Sequence, residues 1–297
     1  NKEYNGDGTS YDVISVKEVA EKLANRTILS PDGAKDKHLR NKYINRGVLQ
    51  GFRNIMDALQ KNAINIDGAR KWYNESVQGA FDFLKKEIPQ VGDKPELETF
   101  SKIVMAITSN GQKVRPNWTQ TVELVKVYLE HGTWKHLNAE KTTYDKKKKI
   151  WVTNEYLFVD NLNNEKKVVG GIRGTTQKEH LLLLEGLIED LGMSGAMRFM
   201  LEKQDASYII EKVGLSTVNK TGRHYGSLRF GKKLGAFFLN LNGISEHPTF
   251  DVWWTRTYNR WMGTPLTTKG TDTVDAPRND SERAIMKQIL YRLSDKL

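Results

Sequence analysis

Asp251, the pair Lys232 and Lys233 with Arg229 just before them, and the arginines Arg256 and Arg260 are the side chains whose types and spacing bear chemistry. Asp251 follows Pro248-Thr249 at the start of a run of helical period, an ordinary place for a helix N-cap. Arg256 and Arg260 stand four apart, on one helical face, and suit carboxylate or phosphate partners. Lys232 and Lys233 form a basic step suited to solvent or phosphate. Gly226 to Lys233 nearly spells a phosphate-binding loop, but Lys233 occupies the place of the hydroxyl that would hold Mg²⁺. The six histidines make no ligand pair on one helical face, so no metal site is expected, and no Gly-x-Ser-x-Gly elbow is present. Phe250, Trp254, Tyr258 and Trp261 recur at steps of four, four and three, which is a core stripe; Trp253 falls off that stripe and is the better exposed aromatic.

The stretch Gly231-Lys232-Lys233-Leu234-Gly235-Ala236-Phe237-Phe238-Leu239-Asn240-Leu241, with Asp251 eighteen residues after Lys233, resembles the core of the helix-hairpin-helix DNA glycosylase superfamily. Arg256, Asn259 and Arg260, at offsets of five, eight and nine from Asp251, match the helix that follows the family's Asp. Upstream, Ile107-Thr108-Ser109-Asn110-Gly111-Gln112, then Val114, Asn117 and Thr119, resembles the segment that ends one helix, wedges into DNA and begins the next. Of the two glycines usual in the family's hairpin, this chain has the second, Gly231. A sharper likeness is to a glycosylase-like domain embedded in very large phage polypeptides, carried on Phe230 to Lys233, Ala236 to Gly243 and Asp251-Val252-Trp253. The start at Asn1 rather than Met suits a piece of such a polypeptide.

The resemblance implies a chemistry. Breaking an N-glycosidic bond passes through an oxocarbenium-like sugar, so a carboxylate beside it, Asp251, would stabilise the developing charge or orient a water. Lys233 would attack the sugar carbon and form a Schiff base. Asn110 or Gln112 would fill the gap left by a flipped base. The hairpin at Gly231, with Arg229 and Lys232, would hold a phosphate, with Arg256 and Arg260 as further DNA contacts.

These residues need a helical scaffold. Apolar residues at three- and four-residue steps predict a pair of helices over 44–88, broken near Ile66-Asp67-Gly68. Pro95 opens a helix over 96–108, Ser109-Asn110-Gly111 closes it, and Pro116 starts another over 117–131. Further helices are expected over 178–191, 196–213, 228–241 and 250–261, with a last one carrying Ala284, Ile285, Ile289 and Leu293, and a short one near 13–29. Alternation over Ile150 to Val159, and Lys167-Val168-Val169 after a turn, predicts an inserted β-hairpin. The Lys146–Lys149 run before it reads as a solvated turn that adds sequence-blind phosphate attraction. The expected architecture is therefore mainly α, a two-lobed glycosylase-like helical domain over 41–264 with a β-hairpin insertion at 141–173. A polar arm over 1–40 precedes it, and a linker and helix over 265–297 follow.

Composition bounds the rest. In 297 residues, 46 Lys+Arg against 36 Asp+Glu give a net charge of +10, and the pI near 9.4 favours a polyanionic partner. The absence of cysteine excludes disulfides, a thiol nucleophile and any cluster held by four thiolates, which places the chain outside the iron–sulfur branch of the family it resembles. No apolar run is long enough to span a membrane, and no cofactor is expected. Three functions follow as expectations. The first is a virion-associated DNA-binding protein of phage type, with a glycosylase-like fold that has lost activity. The second is an active DNA glycosylase with lyase activity, and the third is a structural part of a phage ejection or core assembly. Double-stranded DNA, other virion proteins, and a place in the virion or host cytoplasm are the matching partners and locations.

Overall fold

The computed structural model describes residues 2–4, 10–12, 37–61, 66–109, 114–135, 137–145, 150–159, 166–169, 175–214, 221–244, 247–262, 276–277 and 279–296. These residues are mainly helical, with ten α-helices, one 3₁₀ helix and seven short or medium strands among them. The chain divides into two compact units, one made of Asn1–Trp72 with Phe250–Leu297, the other of Tyr73–Thr249.

The first unit holds a small antiparallel pair, β1 (Lys2–Tyr4) and β2 (Ser10–Asp12), and α1 (Lys37–Gln60). Helix α2 (Ile66–Glu87) begins where the sequence predicts a break and carries the boundary between units. From the C-terminal part come α9 (Val252–Trp261) and α10 (Asp280–Ser294). The start of α10 is written in the sequence: Asn279 accepts the Glu282 N–H at 2.9 Å, and Asp280 and Glu282 place negative charge at the positive end of the helix dipole. Tyr43, Ile44 and Val48 pack with Tyr258, Trp261, Ile285, Met286, Ile289 and Leu293 to form this unit's core. The Tyr258 hydroxyl donates to that of Tyr43 at 2.8 Å, so the buried phenols satisfy each other. The expected stripe is there, with Phe250, Tyr258 and Trp261 buried and Trp254 partly so, while the Trp253 side chain lies outside the described residues.

The second unit runs through α3 (Gln90–Asp93), α4 (Pro95–Thr108) and α5 (Val114–His131). Next come strands β3 (Leu137–Asp145), β4 (Ile150–Val159) and β5 (Lys166–Val169), then α6 (Thr175–Leu201). Strand β6 (Lys203–Asp205), α7 (Ala206–Val213), β7 (Arg223–Tyr225), a 3₁₀ helix (Gly226–Phe230) and α8 (Leu234–Leu241) complete it. Pro95 opens α4 with Glu96 and Glu98 in its first turn, as helix-start chemistry requires. The insertion is a three-stranded antiparallel sheet in the order β3-β4-β5 rather than a simple hairpin. Helix α6 runs through the expected 178–191 segment into the start of the 196–213 one, bends at Gly192, whose φ is 70°, and ends at Leu201, where β6 interrupts the second expected helix before α7 resumes it.

The core of this unit is centred on Trp134, whose ring lies 5.7 Å from Phe100 and 4.6 Å from Tyr128 and whose Nε1–H donates to Leu124 O at 2.9 Å. Buried Glu185 holds the loop before Trp134, accepting from the Thr133 hydroxyl and from the Trp134 N–H, each at 2.7 Å. No helix among the described residues is long and apolar enough to cross a membrane. The helix expected near 13–29 lies outside the described residues.

Candidate nucleic-acid interface

Strand β7 runs directly into the 3₁₀ helix, which ends where the Gly231 N–H donates to Leu228 O at 3.0 Å. Gly231 has φ 99°, a conformation a side chain with a Cβ rarely adopts. That residue breaks the continuous helix expected over 228–241: the segment before it is a tight 3₁₀ turn, and α-helical geometry starts only at Leu234. Between the two lie Lys232 and Lys233, both half-buried, and Lys233 O accepts from the Phe237 N–H at 2.9 Å in the first turn of α8. Helix α8 itself is an apolar anchor, with Leu234, Ala236, Phe238, Leu239 and Leu241 buried. A Cβ on Gly235 would collide with the Ser227 carbonyl, so α8 and the 3₁₀ helix meet backbone to backbone. The two lysines are thus fixed at the amino end of α8, where the partial positive charge of the helix adds to their own.

Arg229 is turned elsewhere. Its Nε–H donates to Val213 O at 3.0 Å, at the carboxyl end of α7, where a cation is favoured. His180 of α6 lies edge-on to Phe230 at 5.6 Å with its Nδ1 buried and unpartnered. Burial, and then the charge of Arg229, lower its pKa below the usual histidine value.

The other end of the same unit explains part of the upstream motif. Thr108 and Asn117 are buried and hydrogen-bonded to each other, and Thr108 also meets the Thr121 hydroxyl at 3.1 Å. Asn117 Nδ2–H donates to Met105 O at 3.3 Å, and Gln177 Nε2–H to Ile107 O and Thr108 O at 3.2 and 3.0 Å. The last carbonyls of α4, which a helix leaves without intrahelical donors, are taken up in this way. The flanks of 110–113 are therefore pinned, while Asn110 and Gln112 themselves lie outside the described residues. Gln177 and His180, three residues apart on α6, brace the α4–α5 junction and the segment before α8 respectively. Neither has a signal in the sequence beyond being one of several polar residues on that helix.

Asp251 belongs to the first unit and Lys233 to the second, so the pair the resemblance joins in one site is divided between two separately packed bodies. Asp251 Oδ1 accepts from the Trp254 N–H at 2.8 Å, and its carbonyl accepts from the Thr255 N–H and hydroxyl at 3.0 and 2.8 Å. This is an N-cap of α9. Arg256 is half-buried on that helix, and the Arg260 side chain lies outside the described residues. In comparisons with protein-family models, curated proteins and solved structures, nothing matches the chain.

Proposed function

We propose that this chain binds double-stranded DNA through phosphate contacts at the Gly231–Lys233 turn, as a phage-type, virion-associated protein on a helix-hairpin-helix glycosylase-like scaffold without excision activity. One observation carries the reading: two lysines held at the amino end of a buried apolar helix by a glycine with φ 99°. A net charge of +10 supplies the long-range attraction that phosphate binding of this kind uses. The loss of excision is supported by the reduced hairpin. A five-residue 3₁₀ helix stands before the turn, Arg229 is committed to Val213 O, and the Asp251 carboxylate is engaged in capping α9.

A second reading, an active glycosylase, is favoured by one feature of Asp251. Capping engages Oδ1 and leaves the other carboxylate oxygen to face an oxocarbenium-like sugar. Single-turnover incubation of the intact chain with duplexes carrying a panel of damaged and modified bases, beside Asp251→Asn, decides between the two. Asn caps a helix as well as Asp does, so this variant removes the charge and keeps the fold. Duplex binding with no abasic sites is the expected result. Abasic sites made by the native chain and lost in Asp251→Asn would move the conclusion to the enzyme.

A further inference from the structure

We propose that His180 is a pH-sensitive latch on the Gly231–Lys233 turn: its neutral ring holds the 3₁₀ helix in place, and protonating it loosens that helix and weakens duplex binding. This rests on the proposed DNA binding and adds a control to it. The 3₁₀ helix is held against α6 at both ends. At its start, a Cβ on Gly226 would meet the ring and the carbonyl of Phe199, so the backbone there lies directly on α6. At its end, buried Phe230 takes the His180 ring edge-on, with centroids 5.6 Å apart and planes at 73°. Phe230 runs straight into Gly231, and α8 meets the 3₁₀ helix through Gly235 and the Ser227 carbonyl. A shift of Phe230 therefore carries to both lysines and to the helix end behind them.

The contact suits a neutral imidazole and not a charged one. A neutral ring has one N–H and one bare nitrogen, whereas a charged ring has two N–H donors. His180 Nδ1 is buried with no hydrogen-bond partner, so the charged ring would set a donor where nothing accepts. The charges acting on the ring are Arg229, from the 3₁₀ helix, and Glu179, its exposed neighbour on α6. Helices α4 and α7 and the β6–β7 pair also pack on α6, and among the described residues no charged group from them acts on the ring. Arg229 is tied by its Nε–H to Val213 O at 3.0 Å, which keeps a like charge in place against an imidazolium.

The direction of the control follows. Burial first, and then Arg229, lower the His180 pKa, with Glu179 opposing them, so the ring is neutral and the contact closed at neutral pH. In mild acid the ring takes its proton more readily once it has left Phe230, and each proton bound favours the opened contact. Protons on the other histidines act the opposite way, since added positive charge strengthens phosphate binding. A loss of affinity on acidification is therefore a signature of the latch.

The test is an anisotropy titration of a labelled duplex with the intact chain at about pH 7.5 and about pH 5.5, at one ionic strength, beside His180→Gln. The native chain should lose at least about fivefold in affinity at the lower pH, the low end of ordinary coupling between two sites, while tryptophan fluorescence shows it folded. His180→Gln, which gains no charge, should not lose it. A second check leaves His180 in place: in Lys232→Gln with Lys233→Gln, the residual binding should show no acid loss. Native affinity that holds or rises in acid, an equal loss in His180→Gln, a loss that persists without the two lysines, or a loss that only follows global unfolding would each overturn the latch. If the native chain binds at neutral pH through the two lysines and acid leaves that binding unchanged, the latch fails and the proposed function stands. If it does not bind duplex at neutral pH and low salt, both fail.

Discussion

Asp251 joins two roles that substitution separates. Its carboxylate caps α9 at 2.8 Å from the Trp254 N–H, so Asp251→Ala should cost about 1 kcal/mol of stability and Asp251→Asn only a few tenths, read as shifts of the urea midpoint. Equal losses in both variants would show that the negative charge, not the cap, carries the stabilisation. His180 has a sign that can be worked out. Burial and Arg229 hold its folded pKa below the usual 6.5, so in mildly acid solution the unfolded chain binds the proton more readily. Stability should therefore be intact above about pH 6.5 and fall as the pH drops below it, and His180→Gln should flatten that part of the profile. An unchanged acid limb would mean that the imidazole gains its proton in the fold as easily as in the unfolded chain. Glu185 is buried and accepts from Thr133 and Trp134, with Lys135 Nζ 3.3 Å from its Oε1, and Glu185→Ala leaves the Trp134 N–H without its acceptor. A loss of roughly 1–3 kcal/mol follows.

At the scale of elements, the turn before α8 depends on an approach that only glycine permits. In Gly235→Ala the new methyl would meet the Ser227 carbonyl, a backbone atom with no rotamer to move. The variant should lose about 1–3 kcal/mol and weaken duplex binding together with stability; wild-type stability would show that the 3₁₀ helix can shift without cost. This element also marks how far the sequence reaches. Pro95, the break at Ile66 and the apolar spacing of Ile285, Ile289 and Leu293 announce their helices because caps and period are local signals. The alternation of Ile150 to Val159 announces β4 for the same reason. Strand β3 is hidden because its residues are mostly polar and run into the lysines, and its pairing with β4 is a tertiary choice. The 3₁₀ segment is hidden too, since Leu228 and Phe230 fit a helical period until Gly231 turns the backbone. In the candidate interface, Lys232, Lys233 and Gly231 were legible as types in a pattern. The brace by Gln177 and the diversion of Arg229 to Val213 O were not, because their partners lie 69 or 70 and 16 residues away in sequence.

Over the whole molecule, the positive charge and the two separately packed units set the terms for function. Each unit has its own aromatic core, around Trp134 in one and around Tyr43 and Tyr258 in the other. The acidic residues are in part consumed locally, as where Glu98 pairs with Lys85 and Lys102 and Glu87 with Lys126. Pairs of this kind near the surface contribute little to stability, but they neutralise the lysines they involve. The most direct measurement is a fluorescence-anisotropy titration of a labelled duplex with the intact chain across a salt series, repeated with Lys232→Gln and Lys233→Gln together. Phosphate contact at the Gly231–Lys233 turn predicts binding at low salt that weakens steeply as salt rises, with a log–log slope about 2 smaller in the double variant. Binding absent at low salt, or a slope that the double variant leaves unchanged, would contradict it.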